Sequence, residues 1–341
     1  MVTLAFAGDV MLGREVNETL RDEPDPRAPW TDVLPLLLEA DVRIINLECA
    51  VTTHLDRWKP TPKVFYFRAD PSALRVLTAA RIDACSLANN HTLDFEEVGL
   101  LDTLRHLDEA GIRCAGAGRT LDEARRPAML DAGGQRIGLV AFTDNEPAFA
   151  AGPDHPGTFY LPVSVKPEVV EPLARSIAEA RRAGADLVVV SSHWGPNMVT
   201  RPRPLFRRFA REVMDLGADV FFGHSAHVFQ GVELYRGKPI LYDTGDFLDD
   251  YAVDPVLRND WSFLFRLTFE GARFMGLELV PMELSMAKVR QAKGFAREVM
   301  LERMTMLSEE LGTHLKRHGD RLYLEPHPVR PERSEGEPPS P

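Results

Sequence analysis

The sequence predicts an α/β fold with two packed sheets, and three observations carry that expectation. Short apolar runs rich in β-branched residues alternate with longer amphipathic segments, the succession of strands and helices such folds show. Several of those runs are too uniformly apolar for a half-exposed strand and belong buried on both faces. After His227 the pattern changes to extended, partly alternating segments, as expected of antiparallel strands that complete a second sheet.

The strand-like runs fall at 2–7, 42–47, 84–87, 137–142, 187–191 and 220–222. Helical periodicity is clearest over 71–80, 96–111, 167–184 and 204–217, and Gly111, Gly184 and Gly217 close the last three, the residue a helix C-terminus prefers. The later extended segments are 228–235, 239–242, 263–270 and 276–283, with a turn at Gly237-Lys238 between the first two. From Met286 to about His318 the chain is charged and helix-prone. These signals predict one domain over 1–284 and a helix within 285–325 packed on or beside it. The final stretch, 330–341, holds four Pro and three Glu in twelve residues. It cannot bury enough to fold, so a disordered tail is expected over 326–341.

Composition narrows the function. With 40 basic and 51 acidic side chains the formal charge is −11, which argues against a nucleic-acid partner, since clustered Lys and Arg supply most of that affinity. No run reaches the roughly 18 apolar residues of a membrane helix, and no basic-then-apolar leader precedes the first strand, so a cytoplasmic protein is expected. Cys49, Cys85 and Cys114 are odd in number and contain no Cys-x-x-Cys, which excludes a disulfide framework and a Cys-rich zinc module.

Three helix-strand junctions echo one another. Ala-Arg-Ile-Asp at 80–83 leads to His91, Ala-Gly-Ala-Asp at 183–186 to His193, and Leu-Gly-Ala-Asp at 216–219 to His224. Each delivers a histidine just past a strand, and the carboxyl ends of strands in open α/β sheets are where ligands bind. The three histidines are therefore expected in one crevice.

Other chemistry-bearing residues sit at the same ends. Gly8-Asp9 follows the first strand and puts a carboxylate at the sheet rim, where it serves a metal or caps the next turn. In Asn46-Leu47-Glu48 strand alternation sets Asn46 and Glu48 on one face. Asn89-Asn90-His91 precedes a helix, a place for metal binding, capping or an anion. Gly223-His224-Ser225-Ala226-His227 supplies two histidines in one turn. Jointly these describe a two-metal hydrolytic site, whose imidazole and carboxylate ligands suit Mn, Zn or Fe.

Gly-Asp-Val-Met-Leu-Gly-Arg at 8–14, Asn-Leu-Glu at 46–48, Asn-Asn-His-x-x-Asp at 89–94, His-Trp-Gly at 193–195 and Gly-His-x-x-His at 223–227 resemble the CapA family, named for bacterial capsule and poly-γ-glutamate synthesis proteins. Gly-Lys-Pro-Ile at 237–240 and Asp-Thr-Gly-Asp-Phe at 243–247, in the place of the family's Gly-Asn-Phe, extend the resemblance over about 2–250. That family is similar in turn to the calcineurin-like metallophosphatases, which implies two β-sheets sandwiched between helical layers, α/β/β/α.

The resemblance implies that Asp9 and His227 hold one metal, that Asn90, His193 and His224 hold the other, and that Glu48 bridges them. It makes His91 the residue that hydrogen-bonds the substrate or protonates its leaving group, beside Asp94. Met11 stands where metallophosphatases carry an imidazole, so one tight and one weaker divalent ion are expected. Two equally tight ions would mean that a bidentate Glu48 or a displaced Asp246 completes the weaker site. Arg14 is a candidate clamp for an anionic small molecule or polymer, or else a structural partner of Asp94 or Glu48.

These residues imply a hydrolase of phosphoesters or of an anionic polymer such as poly-γ-glutamate, with a non-catalytic capsule-assembly subunit as the rival reading. Trp194 is read as packing beside the sheet. His314 and His318, at i and i+4 on the late helix, are read as a solvated pair, and the Met run at 298–306 as core.

Overall fold

The structure, a computed structural model, describes residues 1–326. The tail expected over 326–341 lies outside the described residues except for residue 326. All six early strands form, as Val2–Val10, Val42–Leu47, Ala84–Ser86, Gln135–Thr143, Leu187–His193 and Val220–His224. They divide between two sheets. In the larger sheet the order is Lys316–His318, Arg321–Leu324, Arg273–Ser285, Trp261–Glu270, Val2–Val10, Val42–Leu47, Ala84–Ser86 and Arg113–Ala115. Its half from Val2 to Ala115 is parallel, and the remainder is antiparallel. The smaller sheet runs Val232–Tyr235, Lys238–Leu241, Val220–His224, Leu187–His193, Gln135–Thr143 and Ala128–Ala132.

The sheets meet face to face through large apolar side chains, with the rings of Phe6 and Phe222 5.0 Å apart across the interface. Ile44, Leu139, Val189, Phe263 and Phe265 fill the same layer. Fully burying a side chain of that size stabilises by about 1.5–3 kcal/mol. Helices cover both outer faces. Val16, Leu37, Val76 and Leu100 pack on Ile45 and Leu47 of the larger sheet. Leu173, Ile177, Phe209 and Val213 pack on Val188, Val190 and Phe221 of the smaller one. The architecture is the expected α/β/β/α sandwich.

Gly111, Gly184 and Gly217 take φ of 72°, 89° and 111°, each just past the last helical residue, where the left-handed turn frees the chain toward the next strand. The segments after His227 do not build a sheet of their own. The hairpin of Val232–Tyr235 and Lys238–Leu241 extends the smaller sheet, while Trp261–Glu270 and Arg273–Ser285 extend the larger.

The expected late helix is Gly294–Glu309, shorter than the helix-prone stretch and bracketed by strands Lys288–Gln291, Lys316–His318 and Arg321–Leu324 that join the larger sheet. Met300, Leu301, Met304 and Leu307 enter the core between the sheets, whereas Met306 of the same run is exposed. His318 lies on a strand and His314 follows the helix, so the i, i+4 helical pairing of these two does not form. Among the described residues no helix is long and apolar enough to cross a membrane.

Candidate metal centre

The parallel strands of both sheets end at one crevice. Asp9 is the penultimate residue of Val2–Val10, Glu48 directly follows Val42–Leu47, and His193 and His224 close adjacent strands in register. Asp9 Oδ1 lies 3.3 Å from His224 Nδ1 and 3.7 Å from His193 Nδ1. The two imidazole nitrogens are 3.0 Å apart, so three ligand atoms converge on one point. Ser191 Oγ, 2.8 Å from His224 Nε2, fixes that ring from behind. Asn46 Nδ2 donates to Asp9 Oδ1 at 2.8 Å.

A second group shares Asp9. Ligand atoms of Asp9, Glu48, His227 and Asp246 all lie within 4.8 Å of one another. His227 reaches the group from a turn in which Ser225 and His227 take φ of 113° and 58°, strained conformations that cluster at functional sites. The turn is braced by the Ser225 amide donating to Asp9 Oδ2 at 3.2 Å and the Ala226 amide to Asp243 Oδ2 at 2.8 Å. Asp246 arrives through parallel pairing of Asp246–Leu248 with the first strand, Asp9 opposite Asp246. That approach needs glycine at position 8, where a Cβ would sit 1.7 Å from the Gly245 carbonyl oxygen.

Burial raises the Asp9 carboxyl, yet hydrogen bonds and charge from His193 and His224 hold it well below the usual range. Burial, with the charge of Asp9, drives Glu48 well up, and burial pushes Asp246 up to about 6. Burial lowers His193 to about 4. His227, opposed by burial, is held well above its ordinary value by Asp246 and Glu48. Among the described residues, Glu48 Oε1, Asp246 Oδ2 and Asn90 Oδ1 are buried without a hydrogen-bond partner. Orphaned buried oxygens are rare and call for an explanation, and the imidazole–carboxylate donor set around them fits divalent ions.

His91 approaches from the larger sheet, and its Nε2 lies 3.8 Å from Glu48 Oε1, the distance His193 Nε2 keeps from the same oxygen. The three echoed histidines thus share one crevice. Behind His91, Asp94 Oδ2 is 2.6 Å from Nδ1 and accepts the Phe67 amide, also at 2.6 Å. Burial pushes Asp94 up to about 8 against the pull of Lys63, and burial and Lys63 lower His91. Phe67 stacks on the His91 ring at 3.8 Å.

A cavity of about 510 Å³ opens over the crevice, lined by Arg14, Lys63, Phe65, Phe67, Asn90, His91, Glu146, Met198, His227 and Tyr251. A larger one of about 610 Å³ lies elsewhere, beside Asp102, Arg105 and Cys114. Its Arg105 is already paired with Asp102 and Glu109, and it holds no convergent ligands.

Several expectations change. Arg14 pairs with neither Asp94 nor Glu48; its Nε lies 3.4 Å from Asp250 Oδ2 and its guanidinium 5.5 Å from the Phe67 ring centre. Met11 Sδ accepts the Gly13 amide at 3.0 Å, and Asp246, the alternative named above for completing the weaker site, stands in the four-residue group. Trp194, as expected, is buried, against Phe206 and Phe221. Sequence reasoning missed Lys63 and Tyr251. The Lys63 ammonium donates to the Asn90 carbonyl at 2.5 Å and lies 3.2 Å from Asp94 Oδ1. Tyr251 donates to Glu48 Oε2 at 3.1 Å. Both come from aperiodic loops without a local signal.

Fold and site define an α/β/β/α sandwich with a buried imidazole–carboxylate cluster where strands of both sheets end. Residues 3–251 match the family described as bacterial capsule synthesis protein PGA_cap, and the chain belongs to that family. A probable polyglutamine synthesis accessory protein of Mycobacterium tuberculosis is 31% identical over 94% of this chain and 95% of its own length. The PGA biosynthesis protein CapA of Bacillus subtilis is 32% identical over 73% of this chain and 64% of its own. A hypothetical protein from Thermus thermophilus, known by crystal structure, shares the fold with a TM-score of 0.50 at 18% identity, covering 83% of this chain and 100% of its own.

Proposed function

We propose that the chain is a divalent-metal-dependent hydrolase whose substrate is an anionic polymer such as poly-γ-glutamate, or a phosphoester. The observation that carries this is the pair of buried ligand groups sharing Asp9 beside a cavity lined by His227, Asn90, His91 and Arg14. Asp9, His193 and His224, with Asn90 assigned by the resemblance, would hold one ion, and Asp9, Glu48, His227 and Asp246 the other. Bound divalent ions supply Lewis acidity and favour deprotonated water.

The chain's own groups do the rest. Asp94 holds the His91 ring through Nδ1, which leaves Nε2 facing Glu48 Oε1 and the cavity. From there the ring hydrogen-bonds the substrate or passes a proton to the leaving group. Asp94 acts through His91, and Arg14 offers a planar fork to an anionic group.

A second reading, a non-catalytic accessory that binds the polymer in this cavity, is favoured by the naming of the mycobacterial relative as an accessory protein. Metal analysis with chromogenic phosphomonoester and phosphodiester substrates and a poly-γ-glutamate depolymerisation assay separates the two. Turnover lost on chelation and in His91→Ala supports the hydrolase. Absence of both bound metal and turnover leaves the binding protein standing.

A further inference from the structure

A third parallel strand of the smaller sheet ends at the same rim, and neither ligand group draws on it. Gln135–Thr143 runs parallel to Leu187–His193 with Thr143 opposite His193, and it delivers Asp144-Asn145-Glu146. The first two of these hold the loop in place: Asp144 Oδ1 accepts the Gly195 amide at 2.9 Å, and Asn145 Nδ2 donates to Ser225 Oγ at 3.1 Å. Glu146 lines the cavity together with Arg14 and Lys63. We propose that Glu146 is a specificity-determining residue that binds an ammonium group of the substrate while Arg14 binds a carboxylate, so that the cavity takes the amino-terminal end of an anionic chain rather than its interior. The inference rests on the anionic-polymer reading above and deepens it.

Backbone geometry and charge both support it. Glu146 takes φ of 50° and ψ of 71° directly before Pro147, a left-handed conformation that residues other than glycine adopt rarely and that a following proline opposes. Such strain persists where the surrounding structure enforces it, and it clusters at ligand clamps. Arg14 shares it, with φ of 53°. The Arg14 guanidinium is steadied by Asp250 at 3.4 Å from Nε and by the rings of Phe67 and Phe65, 5.5 and 6.0 Å away. Among the described residues its terminal nitrogens make no hydrogen bond, and the Glu146 carboxylate has neither a hydrogen-bond nor an ion-pair partner. Lys63, the other ammonium or guanidinium on the cavity wall, is committed to Asp94 and to the Asn90 carbonyl. The cavity thus offers one carboxylate and one guanidinium to a ligand, and its volume of about 510 Å³ suits a short segment of chain. The amino-terminal end of a γ-linked glutamate chain presents an ammonium beside carboxylates. Its interior presents carboxylates alone, and these would meet Glu146 as like charges.

The test uses the full chain loaded with manganese and carrying His91→Ala, which slows turnover so that binding alone is read. Isothermal titration calorimetry compares γ-linked tetraglutamate with a free and with an acetylated amino terminus at pH 7, where a free terminus is protonated. Acetylation removes the ammonium and should weaken binding to this parent by about tenfold, the worth of one partly desolvated charge pair. Adding Glu146→Gln, which keeps the size of the side chain, should weaken the free tetramer by about tenfold and spare the acetylated one, so that the preference falls to within about twofold. Adding Arg14→Gln instead should weaken both tetramers alike. A parent that binds both tetramers equally, or a Glu146→Gln protein that still prefers the free one, overturns the proposal and leaves the anionic-polymer reading intact. A parent that binds neither tetramer overturns both.

Discussion

Lys63→Met in the metal-stripped protein probes the least sequence-legible part of the site. The Lys63 side chain is 6% exposed, and its ammonium contacts Asp94 Oδ1 at 3.2 Å and the Asn90 carbonyl at 2.5 Å. At an effective dielectric of about 20, unit charges at that separation attract by about 5 kcal/mol, an upper bound that applies only while Asp94 is ionised. Burial pushes Asp94 up to about 8, so at pH 7 its carboxyl is largely protonated. The variant then loses a charged hydrogen bond to Asn90 and a contact to a neutral acid, about 1–3 kcal/mol.

Above pH 8 the wild-type carboxyl ionises beside Lys63, whereas in the variant ionisation is deferred. The folded variant holds a proton that its unfolded chain has released, so its stability falls further with rising pH, by up to about 1.4 kcal/mol per unit. Urea unfolding at pH 7 and pH 9 should show the loss growing by about 1.4 kcal/mol across that interval. In an Asp94→Asn background the growth should vanish. A loss equal at both pH values, or below about 0.5 kcal/mol at both as for an exposed pair, would refute the reasoning.

Tyr251→Phe removes the hydroxyl that orients Glu48 and should weaken manganese binding about 10–100-fold, read by titration with the fold monitored by circular dichroism. Met11→Ala opens a cavity at a wholly buried position and should lower stability by about 2–5 kcal/mol while leaving metal stoichiometry unchanged; a lost ion would make Met11 a ligand. In chelator, melting temperature should fall as pH rises from about 6.5 to 8, because Glu48, Asp243 and Asp249, raised by burial, and Asp94 and His227 all hold protons that the unfolded chain has released. Saturating divalent ions displace those protons and should flatten the slope; parallel slopes with and without ions would contradict the site.

The histidines and the first two carboxylates were legible because parallel strands deliver their terminal residues to one rim. Apolar runs followed by Asp9, Glu48, His193 or His224 therefore read directly as a crevice. The sheet partnership of the later strands was not legible in the same way. Alternation over 263–270 reports a strand with two different faces, but not which of two sheets it joins. That choice is made by antiparallel register between Val2–Val10 and Trp261–Glu270, a pairing across more than two hundred residues that leaves no local mark. The same holds for Lys288–Gln291 and the terminal hairpin, whose charged residues read as helix until the edge of the larger sheet is there to receive them.

Asp246 enters the proposed ligand set through topology rather than through a motif. In sequence it is one carboxylate among Asp243, Asp246, Asp249 and Asp250, named there only as an alternative to a bidentate Glu48. Asp250 is taken by Arg14, and Asp243 accepts the Ala226 and Gly245 amides that hold the two-histidine turn and the loop into the next strand. Asp249 accepts the amide of Tyr251, the residue that in turn orients Glu48. Only Asp246 lies opposite Asp9 in a parallel pair with the first strand, with its free oxygen buried beside the others. The expectation of a weak site at Met11 followed the order of residues along the chain. The four-residue group follows their order across the sheet, where Asp246 stands opposite Asp9.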